Sequence, residues 1–190
     1  MDNELMIKRL KEAGISFARG LGEEELAAAE TTFGFAFPVE IRDFLARGLP
    51  EGDCFFNWRD LSDANVQKFR DFQLFVERHF AFDLRENCDD LRELLAEQFQ
   101  ETEDPGQFAE AVLDYLHRST KLIPFYAHRC FFDGIDHMPI VSFWQPVDSV
   151  FYGKSFEDYL ETEFLGKKHS AEPLSERIKD TGIWYYLIGK

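Results

Sequence analysis

TTFGFAFPVEIRDFLARGLPEG, residues 31–52, decides how this chain is read. A Glu-rich helix runs into it and breaks at an aromatic turn around Gly34. A second short helix opens at Pro38 and closes at Gly48. Proline suits the first helical position because its missing N–H would be unpaired there anyway. Glycine suits the residue after a helix because it takes φ > 0 without strain. Ile41, Phe44 and Leu45 share one face of the short helix, which must turn toward a core.

Upstream, residues 3–13 predict a first helix with Met6, Leu10 and Ala13 on one side and Gly14 as its stop. Glu23, Glu24 and Glu25 start the second, where the helix dipole favours negative charge. Leu26, Ala29 and Phe33 follow at helical spacing. Downstream, PEGDCFFNWRD (50–60) reads as an aromatic loop. Ser62 or Asp63 then caps a helix carrying Val66, Phe69, Phe72, Phe75 and Val76. Leu91, Leu94, Leu95 and Phe99 predict a helix over 89–100. ETEDPG (101–106) predicts a turn, and a further helix spans 107–118.

The pattern changes at Lys121. KLIPFYAHRCFF is β-rich, DGIDHM (133–138) supplies turn residues, and PIVSFW (139–144) and SVFY (149–152) read as further strands of a short antiparallel meander. SFEDYLETEF returns to helix, with Ser155 as its cap and Phe156, Tyr159, Leu160 and Phe164 as its apolar stripe. GIWYYLI (182–188) predicts a last strand or extended segment. No internal repeat, low-complexity tract or linker interrupts the chain.

The Glu-rich helix, FGF-x-FP turn, short helix and Gly48 resemble the opening of the SUKH superfamily. That superfamily holds the Smi/Knr-type cell-wall-assembly regulators of fungi and many bacterial toxin-immunity proteins. Leu122–Arg129 is similar to its "LIPIY-x-HR" strand and Pro139–Trp144 to its "PVFS" strand. Asp148–Gly153 is similar to its "D-x-x-YYG" segment, and Asp158–Phe164 to its "DYL-x-x-EF" helix. Residues 61–118 match it poorly. The resemblance implies a single SUKH-like domain over 1–190: an α+β fold with an antiparallel sheet flanked by helices and a helical elaboration at 61–118. It also implies a non-enzymatic protein-binding role, as an immunity-type protein or, alternatively, a regulatory scaffold.

Composition fits that role. The net charge is −15, from 36 acidic and 21 basic residues. Phosphate backbones and anionic leaflets repel such a surface, which argues against nucleic acid and membrane as partners. A basic protein, such as a nuclease toxin, would be steered toward it. Most of the 21 Phe residues must be buried. Cys54, Cys88 and Cys130 are odd in number and widely spaced, which argues against a disulfide framework or zinc site. MDNELMIKRLKEAG lacks the apolar core and cleavage site of a signal peptide, and no apolar run reaches membrane-span length. A cytoplasmic protein is expected.

No catalytic, cofactor or metal set is expected. Gly153-Lys154-Ser155 has Asp148 where a phosphate loop needs glycine. Gly20-Leu21-Gly22 leads into three glutamates where a pyrophosphate needs N–H groups. His128, Asp133, Asp136 and His137 cluster in sequence, but the last three sit in turn chemistry. A small hydrolase using His128 as general base is the third reading, with no nucleophile to pair with it. The candidate partner contacts are Trp58 and Arg59 in the aromatic loop, His128 and Arg129 on the first strand, and Trp144, Gln145 and Asp148 at a strand end. Tryptophan and arginine are favoured anchors at protein interfaces.

Overall fold

The computed structural model describes residues 1–96, 98–99, 104–168 and 176–188. Its chain order begins α1 (Asn3–Glu12), β1 (Ser16–Arg19), α2 (Glu23–Phe33), α3 (Val39–Arg47) and β2 (Gly48–Glu51). It continues with α4 (Asp63–Glu86), α5 (Cys88–Leu94) and α6 (Pro105–Arg118). Strands β3 (Leu122–Tyr126), β4 (Arg129–Phe132), β5 (Val141–Ser142) and β6 (Val150–Phe151) follow, then α7 (Phe156–Phe164) and α8 (Ile183–Ile188). The fold is α+β. Strands β3 to β6 form an antiparallel meander in chain order, and β1 pairs with β2 in a separate antiparallel ribbon.

Local chemistry sets most helix ends. Asp2, Ser62, Asp104 and Ser155 each accept a backbone N–H of the first turn they precede. Gly34 ends α2 at φ 70°, a left-handed cap. Pro38 stands one residue earlier than expected, as the cap of α3. Gly48 departs from expectation. Its φ is −169°, so α3 runs straight into extended β2. A Cβ there would lie 3.0 Å from the Phe17 ring and 3.2 Å from Ile7, so the site wants a small residue for packing, not for a turn.

The four-stranded sheet is covered on both faces. Ile123, Phe125 and Phe131 join Met6, Leu10, Leu26, Phe44, Leu45, Phe156 and Tyr159 in one core, under α1, α2, α3 and α7. Leu122, Cys130, Phe132, Val141 and Phe143 join Val76, Phe80, Leu91, Phe108, Val112, Trp184 and Leu187 in the other, under α4, α5, α6 and α8. Successive residues therefore serve opposite cores, the period-two rule of a strand. Residues 61–118 supply α4, α5 and α6, the expected helical elaboration, as the layer over the second face of the sheet.

Three sequence expectations change. GIWYYLI is helical: Ile183, Trp184, Leu187 and Ile188 are buried, a helical spacing, while Tyr185 and Tyr186 are half-buried. Gly182 turns the chain at φ 73°, Ser119 Oγ accepts the Ile183 N–H at 2.8 Å, and Trp184 Nε1 donates to the Thr120 carbonyl at 2.7 Å. KLIPFYAHRCFF is a hairpin rather than one strand, because Ala127 takes φ 49° and reverses the chain. Residues 48–51 are strand, held by Ser16–Arg19. Parts of the expected helix 89–100 and turn 101–106 lie outside the described residues.

Candidate functional site

The sequence-derived candidates separate into two places. Trp58 is 1% exposed and belongs to the first core, ringed by Phe33, Phe35, Phe37, Phe56 and Phe131 at 4.3 to 6.1 Å between ring centroids. A docking partner cannot reach it, so Trp58 is a core residue and not a contact. Arg59 beside it is bound on all sides. Its Nε donates to Glu25 at 3.0 Å, and its guanidinium donates to the Arg19 and Gly20 carbonyls at 2.8 and 3.1 Å. Glu25 also takes both guanidinium nitrogens of Arg19, at 2.7 and 2.9 Å, and the Gly22 N–H. These donors, Arg19 first, hold the Glu25 carboxyl down at about 2. Arg59 thus locks the end of β1 to the start of α2.

The second place lies where β4 meets β5. Trp144 is 57% exposed, the most exposed of the large apolar side chains among the described residues. The His128 ring stands edge-on to it at 6.1 Å, and Phe75 of α4 at 6.4 Å. Phe75 in turn packs on His79 at 3.9 Å, and the Phe143 N–H donates to the His128 carbonyl at 2.9 Å. Gln145, half-buried, caps a 3-10 turn over Pro146–Asp148, and Asp148, exposed, is its last residue. That turn is pinned from below: the carboxylate of Asp83, fully buried in α4, accepts the Val147 N–H at 3.0 Å and an Asn87 amide N–H at 2.7 Å. The sequence reading placed Phe75 only in an apolar stripe, because helical spacing assigns a stripe to a core without saying what stands above it, and it passed over the polar His79 and Asp83.

Arg129 is the strut of this site. Its Nε donates to Glu163 at 3.0 Å and one terminal nitrogen to Ser142 Oγ at 2.7 Å, and its guanidinium lies over the Tyr152 ring at 3.7 Å. Both members of the Arg129–Glu163 pair are nearly buried, at 11% and 18% side-chain exposure. The pair ties β4 to α7 and fixes the sheet behind Trp144. His128 Nε2 accepts from Arg129, which can only donate. Burial first, then the neighbouring guanidinium, lowers the His128 pKa. The nearby Cys130 thiol is fully buried, and burial pushes its pKa far above the ordinary range.

The DGIDH turn has a different task. Asp133 accepts the Ala36 N–H at 2.8 Å, Asp136 the Val39 N–H at 2.7 Å, and Glu40 the His137 N–H at 2.8 Å. The turn caps α3. Among the described residues, no three His, Cys, Asp or Glu side chains are placed to hold a metal ion. Nor is any helix among them long and apolar enough to cross a membrane. Compared with models of protein families, with curated proteins and with solved structures, the chain finds no match.

Proposed function

We propose that this chain is a non-enzymatic protein-binding domain of the SUKH type, an immunity-type protein that docks a basic toxin domain through the Trp144 surface. The observation that carries the reading is Trp144 itself. A large aromatic side chain stands 57% exposed on a strand end whose backbone is held on one side by the His128 carbonyl and on the other by Asp83 of α4. Exposing such a ring forgoes the gain of burying it, roughly 25 cal/mol for each Å² left in water. A partner that covers it recovers that gain at little ordering entropy, because the frame is already rigid. Asp148 beside it and a net charge of −15 favour a basic partner and speed its encounter. His128 and Arg129 support the ring from behind, so they are positioning residues in this reading.

The test is a pull-down from the native host at low and high salt, with wild type and Trp144→Ala side by side. The expected result is a basic protein retained at low salt, weakened by high salt, and held about thirtyfold less tightly by the variant. Equal retention by a folded Trp144→Ala protein overturns the reading. A retained regulatory protein without toxin activity would move it to the scaffold alternative.

A further inference from the structure

The loop Gly52–Asn57 is flanked by two clefts that none of the Trp144 surface shares. One, of about 470 Å³, is walled by Phe55, Phe56, Tyr126, Asn65, Asp53 and Asp60 among others. The other, of about 450 Å³, lies across the loop and is walled by Ala18, Leu49, Glu51, Asp53, Phe55 and Arg59 among others. Asp53 and Phe55 face both. The loop is not a free flap. The Phe56 N–H donates to the Phe125 carbonyl at 3.1 Å, and the Ala127 N–H donates to the Cys54 carbonyl at 2.7 Å. That second bond holds Ala127 at φ 49°, a conformation that residues with a Cβ rarely take.

We propose that these paired clefts are a guanidinium-binding site, which receives arginine side chains of a basic protein segment lying across the loop. Three features of the walls select this guest. Aromatic faces attract a planar cation, and arginine stacks on them where an ammonium stays hydrated. The Glu51 and Asp53 carboxylates have no hydrogen-bond or ion-pair partner among the described residues, and both are exposed at the rim. A carboxylate takes a guanidinium through two parallel hydrogen bonds. The cations already present do not satisfy them: Arg59 is committed to Glu25 and two carbonyls, and Lys68 lies on the far wall near Asp60. Each cleft has room for one such side chain, and the shared Asp53 sets them close enough to serve neighbouring arginines of one segment. The partner class follows from the proposed basic partner, but the site and its chemistry rest on the clefts alone.

Cys54 makes the site measurable. Its thiol is exposed and lines the larger cleft, whereas Cys130 is buried. Alkylation of Cys54 by iodoacetamide, followed by peptide mapping, reports whether the cleft is filled. The probe is a short blocked peptide of alternating glycine and arginine, compared with its citrulline counterpart, which has the same shape and no charge. At about ten times its dissociation constant, the arginine peptide should slow Cys54 alkylation roughly tenfold, and the citrulline peptide should leave it unchanged. Glu51→Gln with Asp53→Asn should abolish the protection. Glu110→Gln with Asp114→Asn, which removes the same charge from the exposed face of α6, should retain it. Equal action of the two peptides, equal loss in both double variants, or no protection at any concentration overturns the site. Trp144→Ala should leave the protection intact, so failure here and failure of the Trp144 surface are told apart.

Discussion

At the scale of single residues, two tryptophans that the sequence offers alike as partner contacts have opposite fates. Trp58 sits in a cage of phenylalanines, and Trp144 stands in solvent. Trp58→Ala should destabilise the protein by about 3–5 kcal/mol in urea unfolding, because it leaves a cavity as well as losing transfer energy. Trp144→Ala should stay within about 0.5 kcal/mol of wild type. Gly20 is a second such residue. A Cβ there would lie 1.9 Å from the Ala46 carbonyl oxygen, backbone that cannot yield. Gly20→Ala should therefore cost at least about 2 kcal/mol in the same measurement. Glu25 supplies a pH signature. Its folded carboxyl is held at about 2, below its ordinary 4.5, so the unfolded chain binds more protons between those values. The stability it contributes is present above 4.5 and is lost as pH falls toward 2. The gap in urea midpoint between wild type and Glu25→Gln should close over that window. A gap independent of pH would contradict the assignment.

At the scale of elements, the DGIDH turn and the opening of α3 form one unit, although 97 residues separate their hydrogen-bonded partners. The first N–H groups of a helix have no intrahelical partner. Here a distant turn supplies one acceptor, Asp136 for the Val39 N–H, because Pro38 at the cap has no side-chain oxygen to offer. Asp136→Ala should cost about 1–2 kcal/mol, and Asp136→Asn, which keeps an acceptor oxygen, should cost less. Hydrogen exchange should show the loss first at Val39. If both variants match wild type, the cap does not carry α3. The GKS segment is a cap as well: Ser155 Oγ accepts the Asp158 N–H at 3.2 Å and Asp158 accepts the Lys154 N–H at 3.0 Å.

At the scale of the molecule, one four-stranded sheet separates two cores, and adjacent strand residues feed both. Neither core can lose its strands without exposing the other, so the two should unfold together. Trp58 reports the first core and Trp184 the second. Variants retaining only one of these tryptophans should give fluorescence transitions with coincident midpoints, once each is corrected for its own stability by circular dichroism. Separate midpoints would mean that the α4–α6 layer is an independent unit. The acidic surface acts at this scale too, over a Debye length of about 8 Å at physiological salt.

The sequence by itself determined most of the helices, several of their caps and the class of the fold. Caps such as Ser62 and Ser155 act within one turn, and stripes such as Leu26, Ala29 and Phe33 repeat at the helical period, so both are written locally. It also determined the charge, which folding does not alter. Only the tertiary structure decided the rest. Ala127 turns left-handed because Cys54 accepts its N–H, and no property of alanine announces that. Residues 182–188 carry strand-like side chains, but Gly182, Ser119 and Thr120 wind them into a helix. Trp58 is buried and Trp144 exposed because of which phenylalanines reach each of them from far along the chain. Burial depends on partners distant in sequence, and a local pattern holds no record of which will arrive.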